Sequence, residues 1–333
     1  MNIYDISEKA GVSIATVSRV LNENSNVSEQ TRKKVLAVME ECGYTPNVFA
    51  RGLGLGTMKT IGIMCSDSSD PYLAGAIYFL ERELRQSGYD SILCCTGYDL
   101  ENKRQYLNLL LSKKIDALIL LGSKFVEPKA KDNKYIFEAA KKVPIMLVNG
   151  YLEGDNIYST VCDDFSAVNN AVKRLIENDR KRILYLYSSI SYSGTNKLNG
   201  YKAALTGFGM NIDEALIIRC HKDIDTSKKL LLSLYDKGMF FDSVVTSDDT
   251  IAVGAVKFAL EKGIKIPDEL SIVGYNNSIL AICSEPEITS LDTKVEALCV
   301  ATVNTLMSVF SGGNVTHKTT ISSDLIIRKT TNF

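Results

Sequence analysis

Apolar residues keep a helical rhythm at the start of the chain and change to an alternation of strands and helices after residue 60. Over residues 1–45 the pattern predicts three short helices. The first runs Ile3–Ala10 and is broken by Gly11. Ser13 is a good N-cap for a second over Ile14–Leu21, whose apolar positions 14, 17, 20 and 21 have helical spacing. Ser28 caps a third, in which Val35, Val38, Met39 and Cys42 recur at i, i+3, i+4 and i+7, and Gly43 is its stop signal. From Pro46 to Lys59 the rhythm lapses. Gly52, Gly54 and Gly56 make a poor autonomous helix, so this stretch reads as a linker that orders only when something holds it.

Beyond the linker, short apolar runs predict strands at Ile61–Cys65, Ser91–Cys95, Ala117–Leu121, Ile145–Val148, Ile183–Tyr187, Ser243–Thr246 and Ser271–Tyr275. Amphipathic stretches between them include Gly75–Gln86, Asn102–Leu111, Ala167–Ile176, Leu198–Leu205 and Ile251–Leu260. Such βα alternation implies parallel sheets covered by helices on both faces. The stretch is longer than one such sheet usually needs. Two similar α/β lobes in series are expected, with a cleft between the carboxyl ends of their strands.

Composition narrows the function. With 45% hydrophobic and 23% charged residues, the 333-residue chain is not wholly disordered. A net charge of −1 excludes a uniformly basic nucleic-acid binder, so any DNA contact must be local. No apolar run is long enough for a membrane span, and the start Met1-Asn2-Ile3-Tyr4-Asp5 lacks the features of a signal peptide, which leads us to expect a cytoplasmic protein. The cysteines at 42, 65, 94, 95, 162, 220, 283 and 299 form no C-x-x-C pair and are expected as buried, reduced thiols. The only histidines, His221 and His317, have no ligand-spaced partner, so neither a metal site nor a cofactor is expected. No G-x-S-x-G or H-E-x-x-H occurs, and Gly54–Thr60 lacks the glycine before Lys59 that a phosphate loop needs. An enzyme is therefore not expected.

The first two helices meet the physical demands of a helix-turn-helix. Ser7 and Ala10 are small enough for a steep crossing, and Gly11 allows the tight turn. Ala15, Thr16 and Ser18 would let the second helix approach a major groove, where Arg19 can reach a guanine edge. On pattern alone an ordinary helical hairpin with a polar face remains open. Local charge does not decide it, because residues 1–60 carry seven bases against six acids.

Motifs over nearly the whole chain decide further. Ala15-Thr16-Val17-Ser18-Arg19-Val20-Leu21-Asn22, Asn26-Val27-Ser28, Thr31-Arg32 and Gly43-Tyr44-x-Pro46-Asn47 resemble the lactose/galactose repressor (LacI/GalR) family. So do Lys59–Ile63, Asn199-Gly200-Tyr201, Ser247-Asp248, Ile266–Tyr275 and Leu325–Arg328. Ile14-Ala15-Thr16 with Ala50-Arg51-Gly52-Leu53 is nearest the catabolite-control branch. The resemblance implies a helix-turn-helix head (1–46), a hinge (47–59) and a two-lobed core (60–333) like a periplasmic sugar-binding protein, built on doubly wound parallel sheets. The first lobe would comprise about 60–160 and 291–322, the second about 161–290 and 323–333, with crossings near 160, 290 and 323. Ile14, Ala15, Thr16 and Arg19 would lie along the major groove. Tyr4, Ser13, Ser18, Asn22, Ser28, Thr31 and Asn47 would touch phosphates. Ala50 and Leu53 would enter the minor groove, Leu53 as a wedge at the palindrome centre.

The same resemblance implies a homodimer on palindromic operator DNA, acting as a repressor and modulated by a sugar or related metabolite. A phosphocarrier protein as corepressor is the alternative, and a transport solute-binding protein a minor one. No leucine heptad follows Arg328, so a tetramer is not expected. The effector would sit in the cleft, among Asp67, Ser69, Asp70, Tyr72 and Leu73 after the first strand and Asn149, Ser193, Lys197, Ser247, Asp248 and Asn276. Asp67, Ser69 and Asp70 could equally be caps and turn formers. Lys197 and Asn276 stand where the family usually has Arg and Asp, which puts a common hexose gripped by that pair in doubt.

Overall fold

The computed structural model describes residues 2–22, 26–44 and 56–333. The head comprises α1 (Ile3–Ala10), α2 (Ile14–Leu21) and α3 (Glu29–Glu41). Each starts on a side-chain cap: Asn2 for α1, Ser13 for α2 and Ser28 for α3. Gly11 takes a left-handed φ of 59°, which an L side chain adopts only under strain. The three helices close over Ile6, Ala10, Val17, Val20, Val35 and Met39.

Two six-stranded sheets follow. The first orders its strands as β11 (Lys318–Ile321), β5 (Ile157–Cys162), β4 (Ile145–Val148), β3 (Ala117–Leu121), β1 (Thr60–Cys65) and β2 (Asp90–Cys95), all parallel. The second runs β12 (Asp324–Ile326), β10 (Thr289–Asp292), β9 (Ser271–Tyr275), β8 (Ser243–Thr246), β6 (Ile183–Tyr187) and β7 (Ile217–Arg219), with only β12 antiparallel. β1 shows how side-chain alternation feeds both faces. Ile61, Ile63 and Cys65 enter one apolar cluster with Leu80 and Val303, whereas Met64 enters another with Leu110 and Ile136. On that second face Gly62 leaves room for Ile115, whose Cδ1 would stand 2.8 Å from an added Cβ.

Each strand read from the apolar runs is present within a residue of its expected bounds. β5 and β10 were not expected as strands, because Ser159 and Thr160 in one and Thr289 and Ser290 in the other interrupt the apolar pattern. These polar residues are nonetheless buried in parallel pairing. The chain passes between sheets after Cys162, after Asp292 and after Ile321. Among the cysteines, Cys95 and Cys283 are exposed and Cys42 is half-buried, against the expectation of buried thiols. Cys95 is exposed because β2 is an edge strand.

Candidate DNA-reading head and interlobe cleft

In the head, Val17 and Val20 anchor α2 inward, and this orientation leaves Ile14, Ala15 and Arg19 exposed. Ser13 is exposed, while Thr16 and Ser18 are half-buried beside that row. The hydroxyls of Ser13 and Thr16 lie 2.9 Å apart, and those of Ser28 and Thr31 2.8 Å apart, so both caps are held by a second side chain. Tyr4 is 65% exposed at the start of α1, and Asn22 is half-buried at the end of α2. Asn47, Ala50 and Leu53 lie outside the described residues.

The cleft between the sheets is built at the carboxyl ends of their strands. The first lobe contributes Ser66 and Asp70 after β1, Ser123 and Lys124 after β3, and Asn149 after β4. The second contributes Ser191 and Lys197 after β6, Lys222 after β7, Asp248 after β8 and Asn276 after β9. An inner chamber of about 120 Å³ results. Of the expected effector residues it gathers Asp70, Tyr72, Leu73, Asn149, Ser193, Lys197, Ser247, Asp248 and Asn276. Asp67 lines only a second, outer cavity that adjoins this chamber, and Ser69 lines neither. Those two form a local turn instead, with the backbone N–H and hydroxyl of Ser69 donating to Asp67 Oδ1 at 2.9 and 2.6 Å. The Ser69 donors hold the Asp67 carboxyl below its ordinary range.

Asp70 and Asp248 serve two purposes each. Asp70 Oδ1 accepts from the N–H groups of Tyr72 and Leu73 and caps the helix Pro71–Gln86. Asp248 Oδ1 accepts from the Thr250 N–H at 2.9 Å and caps Asp249–Lys262. Their second oxygens face the cleft, where the Lys222 ammonium touches both, at 2.6 Å from Asp248 Oδ2. Asn276 Nδ2 also donates to that Asp248 oxygen, at 2.9 Å. Burial opposes the charge on Lys222, but Asp248 and Asp70 outweigh it and hold the ammonium above its ordinary range. Because Asp70 belongs to the first lobe and Lys222 to the second, this ion pair ties the lobes together. Ser123 and Ser191 reinforce it, their hydroxyls 2.8 Å apart, as do the Tyr151 and Tyr192 rings at 5.8 Å with Lys318 over both.

Lys197 is buried. Its Nζ donates to the Ser247 carbonyl at 3.1 Å and lies 3.4 Å from the centre of the Tyr275 ring. Burial pulls its ammonium below the usual lysine range, opposed by Asp164 and Asp248. Asp164 is equally buried and accepts from the Tyr275 hydroxyl; burial pushes its carboxyl up, opposed by Lys197. Asn149, at a left-handed φ of 59°, accepts from the Cys162 N–H at 3.1 Å and donates to the Tyr72 hydroxyl, which fixes the floor of the chamber. Sequence reading missed Asp164, Tyr275, Lys222 and Lys124. Tyr275 and Lys124 follow or end expected strands, so the strand-end rule could have found them. Asp164 and Lys222 follow β5 and β7, which the apolar runs did not mark.

Comparison with known proteins agrees with this geometry. Residues 58–330 match the periplasmic binding proteins and sugar binding domain of the LacI family, and residues 2–47 match the bacterial regulatory proteins of the lacI family. The chain is 60% identical over 333 residues, the full length of both proteins, to an HTH-type transcriptional regulator of Lachnoclostridium phytofermentans. It is 30% identical over 299 residues to the HTH-type transcriptional regulator DegA of Bacillus subtilis, covering 89% of this chain and 87% of that one. Among solved structures, the lac repressor dimer bound to operator and the anti-inducer ONPF matches with a TM-score of 0.89, 24% identity and 99% of each chain covered. The transcription regulator CcpA of Lactococcus lactis matches with a TM-score of 0.73 and 25% identity, over 82% of this chain and 99% of that one.

Proposed function

This chain belongs to the LacI family of bacterial transcriptional regulators, and from that premise we propose that it grips a palindromic operator as a homodimer in the cytoplasm and changes its grip when a sugar-like effector fills the interlobe cleft. It is a DNA-binding regulator, like the relatives it matches, and not an enzyme. The observation that carries the proposal is the union in one chain of an exposed Ile14–Ala15–Arg19 row on a capped second helix with a polar cleft walled by both lobes.

On this reading Ile14, Ala15, Thr16 and Arg19 face base edges, and Tyr4, Ser13, Ser18, Asn22, Ser28 and Thr31 face phosphates. Asn47 joins the phosphate contacts, and Ala50 and Leu53 take the minor groove between half-sites. Effector binding acts by linkage: it changes how the first lobes of the dimer sit, and so whether both hinges can dock together.

The test is selection of bound duplexes from a random library. A two-fold symmetric site should emerge. Arg19→Ala should then weaken binding by about 1–3 kcal/mol and relax preference at one base pair per half-site. Uniform weakening on every sequence would show that Arg19 meets only phosphate, and failure to select any symmetric site would end the dimer-on-palindrome reading.

A further inference from the structure

The inner chamber opens outward into a second cavity of about 910 Å³, and Tyr98, Lys124, Ser188, Ser189, Ser191 and Lys222 line both. Charges in the outer cavity are unequally engaged. Glu127 is taken by the Lys103 ammonium at 2.6 Å. Asp67 is held in its turn by Ser69, and Asp223 caps the helix Ile224–Asp236 through the Thr226 N–H at 2.7 Å. Lys222 is shared by Asp70 and Asp248. Asp67 and Asp223 keep their negative charge in these bonds, but two cations of the cavity are not ion-paired. Among the described residues, neither Lys124 of the first lobe nor Arg219 of the second has a carboxylate within ion-pair distance.

Lys124 is half-buried, its ammonium 4.2 Å from the centre of the Tyr98 ring. Burial pulls its pKa down, and Lys222, Arg219 and Lys103 push the same way, with Asp70 opposing. The lysine therefore sits in an unfavourable positive field. A dianion would reverse that field, pair with the Lys124 point charge and receive two parallel N–H donors from the Arg219 guanidinium. Ser188 and Ser189 add hydroxyl donors on the same wall. Deeper in the cleft the balance differs, with Asp70, Asp164 and Asp248 beside Lys197 and Lys222. The carboxylates of this inner chamber already have cationic or hydroxyl partners, so it suits a neutral, hydroxyl-rich group.

We propose that the effector bears a phosphoryl group on its outward-facing end, and that Lys124 and Arg219, one from each lobe, bind it. This rests on the cleft being the effector site. Closure over the ligand then gains from the anion itself, because only an anion seated between the lobes neutralises both cations.

Thermal melting in sodium phosphate, sodium acetate and sodium chloride at matched ionic strength tests the subsite directly, with inorganic phosphate as probe. Phosphate should raise the melting temperature with a low-millimolar midpoint, and acetate should not. Arg219→Gln and Lys124→Gln, checked for folding by circular dichroism, should each weaken that effect about tenfold or more. A melting curve indifferent to phosphate, or variants that keep the full response, overturns the proposal. A second arm follows operator binding with a small-molecule cell extract before and after alkaline phosphatase. Loss of the extract's effect after phosphatase supports the proposal. An equal effect after phosphatase overturns it and leaves the cleft reading standing, and an extract without effect in either state counts against both.

Discussion

The bridge from Asp70 through Lys222 to Asp248 should be a measurable lock between the lobes. Lys222→Met keeps most of the aliphatic stem and removes the charge. At an effective dielectric near 20, opposite charges about 4 Å apart attract by about 4 kcal/mol before desolvation is counted. Exposed pairs net about 0–1 kcal/mol, whereas removing one partner of a fully buried pair costs about 3–5 kcal/mol. Here the lysine side chain is 28% exposed and the aspartates 12% and 8%, between those limits but nearer the buried one. We therefore expect Lys222→Met to destabilise the core by about 2–3 kcal/mol in urea unfolding. Asp70→Asn keeps a capping oxygen and removes only the interlobe charge. The double-mutant cycle should return a coupling of about 1–2 kcal/mol, reduced in high salt. Since the folded ammonium titrates above its free-chain value near ~10.4, the contribution is complete below that pH and is lost as pH rises through the folded value. Single-mutant effects that simply add, within about 0.3–0.5 kcal/mol, would refute the interlobe lock.

Other consequences follow from neighbouring groups. Burial pushes the Asp249 carboxyl up to about 6 despite donors from Ser290 and Ser278, so the native state holds this proton more tightly than the unfolded chain. Its contribution is then full at low pH and falls as pH rises from about 4 towards 6; Asp249→Asn should remove a slope worth about 1–3 kcal/mol across that window in pH-dependent urea titrations, and an unchanged slope would exclude Asp249 as its source. Gly200→Ala should cost about 1–3 kcal/mol or more, because the new Cβ would stand 2.3 Å from the Phe165 carbonyl oxygen where two helices cross; a melting temperature equal to wild type would show that the helices can part freely. Ser69→Ala, outside both chambers, should leave the response of operator binding to extract unchanged, and a lost response would place Ser69 in the ligand path.

How far the molecule could be read in advance depended on what a residue's neighbours do with it. Long apolar runs such as Ala117–Leu121 are buried on both faces and announce themselves. β5 does not, because Ser159 and Thr160 look like a loop until a sheet surrounds them, and with β5 unmarked the buried Asp164 beside it was invisible. β7 is only three residues long, too short for any periodicity, which hid Lys222. Position at strand ends did point to Asp248, Asn149 and Asn276. It could not separate a ligand contact from a cap, since Asp70 and Asp248 present one oxygen to a helix and the other to the cleft. Asp67 and Ser69 satisfied the same sequence rule and spend both groups on each other.

The magnitudes also constrain how the cleft could govern DNA binding. A ligand shifts an equilibrium only by its difference in affinity for the two states. Allosteric couplings are typically about 1–3 kcal/mol, the same order as the Lys222 bridge. The lobes are tied to each other by that bridge, by the Ser123–Ser191 contact and by the Tyr151–Tyr192–Lys318 stack. An effector that merely filled space would leave these ties unchanged. To act as a switch it must either break the bridge, taking over the cleft-facing oxygens of Asp70 and Asp248 with its own hydroxyls, or add an interlobe contact of its own. On the proposal above, an anion shared by Lys124 and Arg219 is such a contact, because burial and the neighbouring cations disfavour the Lys124 charge and an anion between the lobes offsets that.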